Sequence, residues 1–70
     1  MVKTSEKTIL KICEKVDDQW LVKRVLKIDG NVSTDTAVLL TREYKGNAYH
    51  ADRIKMIGKK KIHTIHWRSL

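Results

Sequence analysis

The side chains here that could do chemistry are three histidines, a single cysteine and a dense group of lysines and arginines. His63 and His66 have the His-x-x-His spacing that aims two imidazoles at one metal when the segment is helical. On a strand their odd separation sends them to opposite sides. A metal would then need His50 or Cys13 to converge, and no Cys-x-x-Cys or His-x-x-x-His spacing supports that, so neither a metal nor a cofactor is expected. His50 or His66 among basic neighbours could serve general acid-base cleavage of RNA, but basic binding domains carry the same residues without cleaving anything. Asp52 beside Arg53 reads as an ion pair rather than a general base. With no phosphate-cradling glycine loop and no nucleophile beside a partner, the expectation is a binding protein and not an enzyme.

Binding chemistry has stronger support. From Arg53 to Arg68 the chain carries Arg53, Lys55, Lys59, Lys60, Lys61 and Arg68 with His63, His66 and Trp67, and no acidic residue. Residues 1–35 hold seven Lys or Arg against six Asp or Glu, and residues 36–70 hold eight against two. The formal net charge of +7 is therefore concentrated in the second half, which implies a face of one sign suited to a polyanion. Lysines 59, 60 and 61 act as mobile point charges for phosphates, with Arg53, Lys55 and Arg68 on the flanking strands and Arg42 and Lys45 just upstream. The bland reading of the lysine run is a solvated turn or a charged strand edge that deters aggregation. Trp67, Tyr44 and Tyr49 offer faces for unpaired bases, each worth about 1–3 kcal/mol when fully engaged. Trp20 is expected inside the core and Tyr44 over the sheet, leaving Trp67 as the exposed aromatic. Histidines protonate below about pH 6.5, so mild acid should favour an anionic partner.

The elements that must position these groups are short. Seventy residues make one domain, 1–70, with little room for an enclosed active site. An apolar content of 41% beside 33% charged residues is that of a folded chain. One cysteine excludes an internal disulfide framework and suits a reducing compartment, the cytoplasm. No run approaches the ~18 apolar residues of a membrane span, and Met1 to Lys7 lacks the apolar core of a signal peptide. Ile9, Ile12, Cys13 and Val16 at helical spacing predict a helix over 5–16, capped by Thr4 or Ser5. From Gln19 to Ile28 the chain reads as a strand with Trp20, Val22, Leu26 and Ile28 inward, although Arg24 breaks the alternation. Asp29-Gly30 is a hairpin signal, Thr36 to Thr41 a strand, and Lys45-Gly46-Asn47 a second turn. Ile54 to Ile57 and Ile62 to Trp67 flank Gly58 and the lysines as a hairpin with a cationic tip. Turn signals near 17, 29, 46 and 58, with no proline and no internal repeat, predict a meander of strands closing on itself.

The stretch Ala37 to Ile57, an apolar strand, a glycine turn at Gly46 and a strand ending in Asp52-Arg53-Ile54, resembles small Sm-like and SH3-like barrels, including WYL-type barrels and a bacterial inhibitor of the Rho terminator. Leu26 to Gly30 resembles the early strand and turn of such barrels. The resemblance covers about 30 of the 70 residues and leaves 31–35 and the basic hairpin unexplained. It implies a mainly β fold, a small antiparallel, partly closed barrel with a short N-terminal helix, in a class that often binds RNA, DNA or the proteins that handle them. In such barrels edge strands can pair into rings, and Ile62 to Trp67 is the candidate edge for a homo-oligomer.

The expected function is a small basic regulator that binds RNA or DNA largely through the phosphate backbone, with no membrane partner. One alternative is a protein-interaction module, a small phage-type regulator or inhibitor docking on an acidic surface of a host nucleic-acid-processing protein. The other is an α+β winged helix with helices at 5–16, 19–28 and 35–45 and the basic hairpin as its wing.

Overall fold

The computed structural model describes residues 4–70, so Met1, Val2 and Lys3 of the N-terminal reading lie outside the described residues. Strands β1 (Thr4–Val16) and β2 (Gln19–Asp29) form a long hairpin, helix α1 (Thr34–Glu43) follows, and β3 (Ala48–Ile57) and β4 (Lys60–Ser69) form a second hairpin. The strands make one antiparallel sheet in the order β2-β1-β3-β4, with α1 laid over the two central strands. The architecture is mainly β, but the sheet is open. β2 and β4 are edges, so the closed meander is not realised, and β4, which contains Ile62 to Trp67, is an edge strand as expected.

Both hairpins turn on two residues. Asp17 and Asp18 take φ of 50° and 63°, the pair of positive values that a type I′ turn needs and that Asp tolerates better than most residues. Gly58, at φ 60°, supplies the same hand at the second turn. Asp29-Gly30 is not a hairpin turn. Gly30 ends β2 at φ 91° and its N–H donates to the Glu6 carbonyl, while Thr8 Oγ1 donates to the Gly30 carbonyl, tying the exit loop to β1.

The helix predicted at 5–16 is strand β1. Because β1 is central, both its faces are covered in places: Leu10 and Ile12 lie under α1, and Cys13 is buried on the opposite face. A strand buried on both sides loses clean two-residue alternation, and its apolar positions then imitate helical spacing. The strand predicted at Thr36 to Thr41 is the body of α1. Ser33 caps it by accepting from the Thr36 N–H at 3.2 Å, Asp35 stands in the first turn and Arg42 in the last. Its end is a Schellman motif, with Gly46 N–H donating to the Thr41 carbonyl, Lys45 N–H to that of Arg42, and Lys45 at φ 59°. The winged-helix alternative placed this helix at 35–45, but its other two helices are β1 and β2.

The core lies between α1 and the sheet: Leu10, Ile12, Val32, Ala37, Tyr49 and Ala51, flanked by Leu26, Ile28, Val38, Leu40 and Tyr44. Tyr44 does cover the sheet, with the Arg24 guanidinium 4.9 Å from its ring centroid. Trp20 is the exception to the expected core. Ile12 pairs with Arg24 but Cys13 pairs with Val22, so Lys23 is an extra residue in β2. That bulge reverses the phase of β2: Leu26 and Ile28 face the helix while Trp20 and Val22 face the other way.

Candidate nucleic-acid interface

Strand register sorts the basic residues onto two faces. On the face away from α1 lie Lys7, Lys11 and Lys15 of β1, Lys27 of β2, His50 of β3, and Lys61, His63 and Trp67 of β4. On the helix side lie Arg53 and Lys55 of β3 and Lys60, His66 and Arg68 of β4. Lys59 is in the second turn, and Arg42 and Lys45 are at the end of α1. The acid-free stretch therefore does not form one surface, and its alternation divides it between both sides of the sheet.

Tyr49 is 1% exposed beneath α1, with His66 beside it at 5.8 Å between centroids, and offers no face to a base. Arg53 donates from Nη2 to the Val32 carbonyl at 2.8 Å, fixing the loop before α1. Asp52 pairs with His63 rather than Arg53, its carboxylate oxygens 3.0 and 3.3 Å from Nδ1. His63 and His66 point to opposite sides, as strand geometry requires. Among the described residues, no three His, Cys, Asp or Glu side chains gather as metal ligands, and no helix is long and apolar enough to cross a membrane.

The face away from α1 has its own centre. Trp20 from one edge strand and Trp67 from the other meet edge to face, with ring centroids 5.1 Å apart and planes at 81°. Between them in the register, Cys13 and Ala48 are paired and buried at 4% and 0%, though no helix covers that side. Small residues in the middle and indoles at the rims give this end a shallow aromatic cover. Both indoles stay close to half exposed, at 42% and 44%. The Lys15 ammonium lies 5.9 Å from the Trp20 ring centroid, within reach of a cation–π contact. Beside Trp20 an open groove of about 570 Å³ runs past Lys15, Asp17, Asp18, Asn47 and Ser69. Val22, Val25 and Ile65 are exposed on the same face.

Burial pushes the Cys13 thiol above its ordinary pKa, and the nearby Lys11 charge opposes this only in part. The thiol is free and buried, and both its burial and its raised pKa disfavour the reactive thiolate.

Sequence reasoning missed Lys7, Lys11, Lys15, Lys27 and Trp20 as members of this face. The signal was present in Lys7-x-Ile9-x-Lys11-x-Cys13-x-Lys15, a strict alternation of base and apolar side chain that a helical reading scatters around a cylinder. No protein-family model matches the chain, and no curated protein or solved structure shows significant similarity to it.

Proposed function

We propose that the protein binds single-stranded nucleic acid, RNA or DNA, on the open face of its sheet. The observation that carries this is the half-exposed Trp20–Trp67 pair at one end of a face whose lysines run along its length, Lys15 and Lys11 beside the pair and Lys27, Lys7 and Lys61 successively farther from it. Unpaired bases stack on aromatic faces whatever their identity, while lysines neutralise the backbone that runs past them. Asp52 and the β2-terminal Asp29 are the acids of the strands on that face, and Asp52 is already engaged by His63. Lysines outnumber the bidentate readers Arg, Asn and Gln there, so affinity is mostly electrostatic and sequence selectivity modest. Lys59 at the second turn extends the basic field beyond the sheet. A regulatory protein acting in a reducing compartment such as the cytoplasm fits a free, unreactive thiol.

A protein-interaction module is the second reading, favoured by exposed Val22, Val25 and Ile65 on the same face. The partner would then be an acidic, nucleic-acid-like protein surface. Titration with single-stranded RNA, single-stranded DNA and duplex at two salt concentrations decides between them. The expected result is salt-sensitive binding, tighter to single strands than to duplex and accompanied by quenching of indole fluorescence. Failure of all three to bind at low salt would remove the nucleic-acid reading and leave the protein partner.

A further inference from the structure

Strand β4 leaves one backbone flank unpaired along its whole length. Its 10 residues are all exposed, its register against β3 runs from Lys60 to Ser69 without a shift, and the chain has no proline to blunt it. The opposite edge is spoiled for pairing. In β2 the extra residue Lys23 breaks the ladder, and its ammonium reaches back to Glu14 at 3.3 Å. We propose that β4 pairs antiparallel with β4 of a second copy of this chain, about a two-fold axis at Ile65.

The backbone phase of β4 and its charges select that axis. In an antiparallel ladder successive residues aim their N–H and C=O alternately at one neighbour and at the other. A two-residue turn joins Ile57 to Lys60, which makes them a hydrogen-bonded pair, and at the far end Leu70 N–H donates to the Asn47 carbonyl at 2.7 Å. Both ends of the hairpin set the same phase. Lys60, Ile62, Thr64, His66 and Arg68 bond to β3, while Lys61, His63, Ile65, Trp67 and Ser69 aim their N–H and C=O outward. A second β4 must match outward residues to outward residues. Of the axes that keep nearly the whole strand paired, Thr64 sets Lys60 against Arg68, and like charges directly opposite one another destabilise a ladder. An axis at Ile65 avoids this. Lys61 then stands opposite Ser69, His63 opposite Trp67, and Ile65, 63% exposed in the single chain, opposite its own copy. On the helix side Ile62 stands opposite Arg68 and Thr64 opposite His66. No lysine or arginine is set against another, although the strand carries Lys60, Lys61 and Arg68 and no acid.

Such a pairing is isologous and closes at two copies. Residues directly opposite share a face, so both helices lie on one side and the two open faces join on the other. The interface uses outward backbone groups and is independent of what the open face binds. Sedimentation equilibrium over a range of protein concentrations, at low and at physiological salt, tests it. The expected result is a monomer–dimer equilibrium that strengthens severalfold with salt, because each copy carries a net charge of +7 that salt screens. Nucleic-acid binding would respond to salt in the opposite direction. Amide exchange should slow with rising protein concentration at His63, Ile65 and Trp67. Ile65→Lys sets like charges on the axis and should weaken association by about tenfold or more. Ile65→Pro removes an N–H that makes no bond within the chain, so it should give a folded monomer. In a Cys13→Ala chain, Ile65→Cys should form an interchain disulfide with oxidised glutathione and Thr64→Cys should not, since only the axial residue comes within ~7 Å of its copy.

A parent chain that stays monomeric at millimolar concentration in physiological salt would overturn the proposal. So would equal disulfide formation at 64 and 65, or a folded Ile65→Lys protein that associates as the parent does. A monomer whose outward amides gain protection only from an added alternating Glu-Val peptide would give the edge to an acidic partner strand, and would equally overturn it.

Discussion

Trp20 and Trp67 belong to opposite edges of the sheet, yet their rings meet at 5.1 Å across two intervening strands. In a flat sheet three strand spacings amount to about 14 Å, and two indoles that lie over small residues can span it. The contact fastens β2 to β4 and roofs Cys13 and Ala48. Replacing Trp67 by Ala should cost about 2 kcal/mol, below the full-burial range because the ring is half exposed. The same variant should bind single strands at least several-fold more weakly. Urea denaturation and fluorescence anisotropy read the two effects separately, and unchanged binding in a folded Trp67→Ala protein would detach the indole pair from the ligand.

Cys13 reports on that roof. In the native protein its thiol should react slowly with an aromatic disulfide reagent at neutral pH, and Trp20→Ala or Trp67→Ala should speed the reaction tenfold or more, on the order of the change produced by roughly 1.4 kcal/mol of easier opening. Its raised pKa has a defined sign. The folded state holds the thiol proton more tightly than the unfolded state, so the associated stability is fully present below the unfolded pKa and is lost as pH rises through the folded value. Cys13→Ala should therefore flatten the alkaline limb of the stability profile, as measured by thermal melts on that side of neutrality.

Under the nucleic-acid reading, the phosphate-contacting role divides between the face and the tip. Changing Lys7, Lys11 and Lys15 together to Gln should lower the slope of log K against log salt by about 2 if each meets one phosphate of a single strand. Changing Lys59, Lys60 and Lys61 to Ala should weaken binding and flatten the slope less, because Lys60 faces the helix side and only Lys61 lies on the open face. Equal slopes for both variants and the parent would exclude a phosphate-driven interface.

Gly46 is required for close approach. A Cβ there would stand 2.5 Å from Ile12 Cγ2 and 3.0 Å from the Cys13 carbonyl oxygen. Ile12 is fully buried and stiff at χ1, and the carbonyl is ladder backbone, so neither yields cheaply. Gly46→Ala should destabilise the fold by about 1–3 kcal/mol, as overpacking does. A melting temperature equal to that of the parent would mean that the α1–β3 connection shifts freely.

Much of the second hairpin was legible in the sequence, because Gly58 and the lysines separate two apolar, β-branched runs, Ile54 to Ile57 and Ile62 to Trp67. The first half was not. β1 is apolar toward both sides, which mimics helical spacing, and the bulge at Lys23 leaves Trp20 and Leu26 in apparent phase although they occupy opposite faces. The break in alternation at Arg24 was the visible trace of that bulge. Helix α1 was hidden by the β-branched content of Thr36 to Thr41, while its cap at Ser33 and its stop at Lys45-Gly46 were written in residues also read as turns. The site divided along the same line. Of the residues on the open face, Lys61, His63 and Trp67 were named from the charge run, and the β1 lysines were missed with the strand that carries them.

The placement of α1 over β1 and β3 alone gives the molecule an uneven stiffness. The two central strands form a spine clamped from one side, whereas β2 and β4 are each joined to it by one ladder and by side chains on the helix side, Leu26, Ile28 and the Arg24–Tyr44 contact for β2 and His66 on Tyr49 for β4, and are tied to one another at one end by two indoles. On the face away from α1 this indole contact is the one aromatic tie between the two edges among the described residues. The cover over Cys13 and Ala48 on that side therefore depends on a single pair of side chains drawn from opposite ends of the strand order.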